Sequence, residues 1–322
     1  MLKKDDVLYF IHIPKTAGLT LIYILNNFFD YSSILIEHSW DQLLPKPPKD
    51  FSKYRFVRGH FGYGFYRHFP KKPIFITMLR KPIEHTISNL EMHLHDPKLR
   101  SQYDISRGMG ITEMVESKLV PNFQTLFLAV DIDVLERIKS INLKNYQEFT
   151  LANLAEYIDP DISTKELEIA KTRLSEFAFF GLTEKFDESV LLLCHTFDWL
   201  PIKIKVKINV AKKRLKQKDL PEKTIDLIKS KTALDSELYA FGERLFEERY
   251  LDMVDKLRAE NNIETSNTLP QAVIVYDWLK ESYITKHGRL RFLKETLLFN
   301  MRKINFVARY VLNHRFRPIL SK

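Results

Sequence analysis

Three short segments of this 322-residue chain carry residue types that could do chemistry. The first is Pro14-Lys15-Thr16-Ala17-Gly18, continuing into Leu19 and Thr20, which separates two apolar runs. A strand that ends in a small-residue turn and opens a helix aims several backbone N–H groups at one point, and the helix dipole favours an anion there. Lys15 adds a mobile positive charge, and Thr16 and Thr20 add hydroxyl donors or a helix cap. These parts predict a phosphate cradle, although the GxxxxGK[ST] spacing of a Walker A loop is absent. The second segment is FITMLRKPIEHTISNL, with Arg80 at the end of a predicted strand and Ser88 eight positions later on the following helix. An arginine so placed can fork onto a phosphate. The third is FVRGHFGYG, in which His60 leaves a strand and enters a turn containing Gly59, Gly62 and Gly64.

These residues need a scaffold, and the hydrophobic pattern supplies one. Apolar runs over residues 7–13, 33–37, 54–60, 73–79 and 177–183 read as short buried strands. Helical patterns over 19–29, from Pro82 towards His95, and over 187–199 alternate with them, Pro82 suiting a first helical turn. Between Asp96 and Glu176 the chain reads as mostly helical, with Ser163 and Glu166 spaced as a capping box. Further helices open at Pro221 and Asp235. Short strands alternating with helices predict an α/β domain with a parallel sheet covered on both faces. Ligands of such sheets sit along the carboxyl edge, where Lys15, Arg80 and His60 all fall.

Composition sets further bounds. Hydrophobic residues are 45% and charged residues 28%, an ordinary globular balance able to bury a core without disulfides. The single cysteine, Cys194, lies in the apolar run LLLCHTF and reads as a buried structural thiol. Residues 280–322 hold 11 Lys or Arg and 2 Asp or Glu, a net +9 that equals the formal charge of the whole chain. The remaining residues balance at 39 of each sign, so the high pI does not mark the main domain as a nucleic-acid binder. No secretory signal or run of membrane-spanning length is read at the N-terminus or elsewhere, which predicts a cytoplasmic protein. The chain divides at a polar stretch over 260–270 into a main domain, 1–259, and a basic helical extension, 260–322, with helices over about 270–285 and 289–313. Apolar and basic residues at helical spacing make that extension a candidate for peripheral contact with an anionic membrane or a polyanionic glycan. The competing reading packs it on the domain with its basic face in water. His93 and His95 are read as lying on a helix surface, and no metal-ligand cluster is identified.

Taken together, IHIPKTAGLTL, RGHF and TMLRKPIEHTISNL resemble the sulfotransferases that use 3′-phosphoadenosine 5′-phosphosulfate (PAPS), and most closely the branch related to the uronyl 2-O-sulfotransferases. NFQTLFLA, FFGLTEKFDESVLLL and LDSELYAFGERLFEER are looser echoes, and the likeness spans roughly residues 7–250. The resemblance implies a three-layer fold like that of P-loop NTPases. It implies that Pro14, Lys15, Thr16, Ala17, Gly18, Leu19 and Thr20 hold the 5′-phosphosulfate, and that Arg80 and Ser88 hold the 3′-phosphate. His60 becomes the general base, with Glu37 the alternative. Lys212 and Arg214 of NVAKKR are further nucleotide-binding candidates, beside the reading of that loop as a solvated basic surface. The acceptor implied is a carbohydrate or glycolipid hydroxyl, and no metal is required. Departures from the family pattern are Leu19 for a usual hydroxyl residue, His85 and Leu126 for arginines, and Arg58 for a histidine. A nucleotide-dependent kinase and a non-catalytic nucleotide-binding relative are the alternatives.

Overall fold

A computed structural model describes residues 2–43, 50–96, 100–101, 105, 108–131, 162–203, 215–264 and 270–313. Four strands, β1 (Leu8–Ile11), β2 (Phe56–Gly59), β3 (Ile74–Leu79) and β4 (Phe179–Leu182), form a parallel sheet in the order β2-β1-β3-β4. Its register pairs Leu8 with Phe56 and Ile74, and Ile76 with Phe179. The strands are nearly continuous runs of buried residues, as a sheet covered on both faces requires. From β1 the chain passes to one side, to β2, and from β3 to the other, to β4. The sheet therefore has a topological switch point between the carboxyl ends of β1 and β3, where open α/β sheets place their ligands.

The helices, in chain order, are α1 (Gly18–Leu25), α2 (Trp40–Leu43), α3 (Pro82–His95), α4 (Ile111–Ser117), α5 (Phe123–Ala129), α6 (Thr164–Glu176), α7 (Phe186–Phe197), α8 (Glu222–Lys231), α9 (Ala233–Glu260), α10 (Ala272–His287) and α11 (Arg289–Asn313). The capping box at the head of α6 forms: the Ser163 hydroxyl accepts from the Lys165 N–H, and Glu166 accepts from the Ser163 N–H. Gly242 of α9 lies where an added Cβ would meet Leu79 and Leu174, so the long helix packs closely on the sheet. Cys194 is buried, its thiol pushed up to about 12 by desolvation.

The expected strand over 33–37 reduces to one bridge, Ile34 beside Phe56. The segment follows β2 for a few bonds, Arg55 N–H to the Ser33 carbonyl and Leu35 N–H to the Phe56 carbonyl. The Arg58 guanidinium then takes the Ile36 carbonyl, at 3.4 Å, and regular pairing stops. The first helix ends at Leu25 rather than Phe29. A 3₁₀ turn, Asn26–Phe28, follows it, and the Asn27 amide donates to the Tyr23 carbonyl at 2.6 Å.

The extension forms the two expected helices, both seated on the domain. α10 adds Val275 and Leu279 to the same core as the sheet. Asp198, after α7, pairs with His287 and Lys286 at its end. α11 lies against the turn that ends α1, with Phe299 edge-on to Phe28 at 5.3 Å. Among the described residues no helix is long and apolar enough to cross a membrane.

Candidate functional site

β1 delivers the chain into residues 12–17, and α1 carries it away from Gly18. Two residues in this loop, Lys15 at φ 66° and Ala17 at φ 61°, hold left-handed backbone without being glycine. Each such residue costs roughly 1–3 kcal/mol and persists only where its surroundings over-determine it.

Those surroundings are a row of side-chain donors. The carbonyls of five consecutive residues each accept a hydrogen bond: Ile11 from Thr77 Oγ1 at 2.8 Å, His12 from His60 Nδ1 at 2.6 Å, Ile13 from Thr16 Oγ1 at 2.7 Å, Pro14 from His85 Nε2 at 2.8 Å and Lys15 from Arg80 Nη1 at 3.0 Å. Four of these carbonyls are held by side chains from outside the loop and the fifth by Thr16 within it. Among the described residues, no backbone carbonyl accepts from the N–H groups of Thr16, Ala17, Gly18 or Leu19. Left-handed residues in alternation with others fold successive N–H groups into an anion-holding concavity, here at the start of α1.

His60 is half-buried on the turn after β2. A carbonyl can only accept, so the bond to His12 places a hydrogen on His60 Nδ1. In the neutral ring the lone pair is then on Nε2, the state of a general base. His12 sits beneath it, ring centroids 4.4 Å apart, and stacks on Phe10 at 5.3 Å. The His12 ring is buried, and among the described residues its Nδ1 has no hydrogen-bond partner. Burial, then the nearness of His60, His38, Arg58 and Lys15, holds His12 well below the usual histidine range and therefore neutral. Gly18 is required here, since an added Cβ would stand 2.1 Å from the His12 ring.

Arg80, at the end of β3, is brought to the same loop. Its backbone is clamped by Gln124, whose amide accepts from Arg80 N–H at 2.9 Å and donates to the Arg80 carbonyl at 2.8 Å. Gln124 is set in turn by Asp235 of α9, whose carboxylate accepts from the N–H groups of Gln124 and Thr125 and from the Thr125 hydroxyl. Burial pushes Asp235 up to about 6, against the pull of these three donors. The guanidinium reaches the Lys15 carbonyl and lies 3.9 Å from Glu84. Ser88 stands one turn beyond His85 on α3, half-buried.

The structure therefore brings Pro14, Lys15, Thr16, Ala17, Gly18, Leu19, Thr20, Arg80 and His60 to one sheet edge, with Ser88 on the helix beside it. Leu19 is 49% exposed. Two expectations change. Thr16 does not cap α1; Ala17 is the residue before the helix, and the Thr16 hydroxyl donates inward to Ile13. His93 is buried rather than on a helix surface, and desolvation, with Lys15 next, lowers it to about 4. Glu37 is half-buried, next to His38, whose carbonyl accepts from His60 N–H at 2.8 Å and whose ring lies 6.2 Å from that of His60. Lys212 and Arg214 lie outside the described residues; Leu215, directly after them, is tied by its N–H to Glu91 of α3. Among the described residues no group of three or more His, Cys, Asp or Glu is placed to hold a metal.

Sequence reasoning passed over His12, Thr77 and Gln124 and saw His85 only as a missing arginine. The usable signals were a histidine interrupting an apolar strand and the polar QT pair inside NFQTLFLA. The sequence matches no protein-family model and no curated protein.

Proposed function

We propose that this protein is a PAPS-dependent sulfotransferase acting on a hydroxyl group of a carbohydrate or glycolipid, on a fold of the P-loop-like kind. The observation that carries this reading is the pairing of the pinned loop with His60. The bond that fixes the loop at the His12 carbonyl also sets the His60 tautomer, so anion cradle and base are built as one unit.

The loop N–H groups at residues 16–19 and the Lys15 ammonium hold the 5′-phosphosulfate. Arg80 and Ser88 hold the 3′-phosphate, with Lys212 and Arg214 of NVAKKR as further candidates. The fit is favourable at the cradle, where the carbonyls are turned to the scaffold and no acidic side chain is among the loop residues. At Arg80 it is divided, because part of the guanidinium already serves the Lys15 carbonyl. In the transfer, His60 Nε2 takes the acceptor's hydroxyl proton and the acceptor oxygen forms the new bond to sulfur. The bond from sulfur to the bridging oxygen breaks, and that oxygen leaves with its electron pair on the 5′-phosphate. Lys15 and the loop N–H groups meet the negative charge that builds there, the kind of donor whose loss costs ~10²–10³ in rate. Glu37 is the alternative base, since its segment passes beside His60. Such a protein would work in the cytoplasm.

Titration calorimetry tests the reading. We expect 3′-phosphoadenosine 5′-phosphate to bind more tightly than ATP with Mg²⁺. The reverse order would point to a kinase and overturn it. Labelled PAPS with a panel of saccharide acceptors then reads transfer itself; binding without transfer to any would favour a non-catalytic relative.

A further inference from the structure

Along its described part α11 has two apolar faces, and among the described residues only one is covered. Its inner face packs on the domain through Phe299 against Phe28 and Arg302 on Asp30 at 2.8 Å, and on α10 through Phe292 near Tyr283 at 6.3 Å. On the opposite face Leu290 is 84% exposed, Leu293 55% and Leu297 62%, and Met301 follows at the same spacing, also exposed. Steps of three, four and four residues put these four side chains on one stripe of the helix. Scattered exposed leucines need no account, but a continuous stripe of them marks a contact surface.

The flanking charge says what the contact is. Arg289, Arg291 and Lys294 are exposed beside the stripe. Residues 280–322 carry a net +9, while the rest of the chain sums to zero. An apolar stripe within a locally cationic segment, on an otherwise neutral molecule, complements a surface that is anionic outside and apolar just beneath. A soluble polyanion would use the cations and leave the leucines in water. A second protein copy would bring the same +9 against itself. We infer that α11 is an in-plane anchor that seats the protein on an anionic lipid bilayer, with the leucine stripe in the acyl boundary and the arginines and lysines at the headgroups. The helix lies on the bilayer rather than through it. The anchor meets the domain at the turn ending α1, whereas the candidate site lies at the start of α1. The eight residues between them span ~12 Å, so seating does not plug the site.

The test is co-sedimentation of the full-length protein with vesicles of phosphatidylglycerol and phosphatidylcholine in equal parts, and with phosphatidylcholine alone. The proteins are wild type, Leu293→Glu/Leu297→Glu and Arg289→Glu/Lys294→Glu. All four positions are exposed, so circular dichroism should show unchanged folding. We expect wild type to bind the anionic vesicles ~10-fold more than the neutral ones, in a salt-sensitive way, and both variants to lose at least that factor. Equal binding by wild type and the leucine variant would overturn the anchor. So would light scattering that shows a dimer abolished by the leucine changes with no vesicle binding, which would assign the stripe to a second copy. Binding of heparin in place of vesicles, lost only in the charge variant, would assign the basic residues to a polyanion and also refute it.

Discussion

The two ends of α1 are built on opposite principles. At its start, the chain is positioned by single hydrogen bonds, each from a different side chain to a different carbonyl, and a glycine fits against a histidine ring with no room to spare. At its end, Phe28, Trp199 and Phe299 stack and cross at 4.3–5.3 Å, and one ion pair, Arg302 with Asp30, fastens the outside. Aromatic area tolerates a shift of a few tenths of an ångström; a row of hydrogen bonds does not. Directional bonds hold one end of the helix and aromatic area holds the other.

Changes at the two ends should differ in kind. The largest effect is expected from His60→Ala, which should lower sulfuryl transfer by ~10²–10⁴-fold and, because it also removes the donor to the His12 carbonyl, cost ~1–3 kcal/mol in denaturant melts. Near-normal turnover in that variant with a dead Glu37→Ala protein would move the base to Glu37. Lys15→Ala should follow at ~10²–10³-fold in rate, read by the same assay. Gly18→Ala should act through structure, since its methyl group must displace the His12 ring; a loss of roughly 1–3 kcal/mol in denaturant melts is expected, together with loss of nucleotide binding.

The start of α1 should also be the acid-sensitive end. Burial holds His85 and His93 at about 4, so below the ordinary value of 6.5 the unfolded chain takes up protons that these folded rings do not. Stability from them is complete above 6.5 and is lost as pH falls towards 4, at up to ~1.4 kcal/mol per pH unit for each ring. Asp235 works the other way. Its folded value of about 6 exceeds the ordinary 3.8, so its contribution is present at low pH and lost as pH rises through 6. The histidines, with His12 added, outnumber it, and the melting temperature should drop between about pH 7 and about pH 5. His85→Gln should flatten that slope. The smallest effect belongs to the far end: Arg302→Ala removes a surface pair and should cost ~0–1 kcal/mol, leaving nucleotide binding untouched.

Most of the scaffold was legible in the sequence because buried parallel strands are short unbroken apolar runs. Residues 74–79 and 179–182 could hardly be read otherwise. The helices of the extension were equally plain from their spacing. Residues 33–37 misled because a strand is made by its neighbour, and Arg58 supplies a side chain where a ladder bond was expected. At the site, Lys15, Arg80 and His60 announced themselves by charge and placement. Thr77, His85 and Gln124 did not, because a buried polar residue carries no periodicity. Its role depends on a carbonyl tens of residues away.

That separation has a kinetic consequence. The donors that hold the loop lie 48, 65, 66 and 71 residues from the carbonyls they meet, on β3, α3 and the turns after β2 and β3. Left-handed backbone at Lys15 and Ala17 has no local reason to form before those elements have assembled around it. We therefore expect the loop to take its shape late in folding, after the elements that carry those donors have assembled. A refolding time course followed by nucleotide-analogue fluorescence should lag behind the return of helical signal, and the length of that lag measures how much of the sheet must exist before the loop can take its shape.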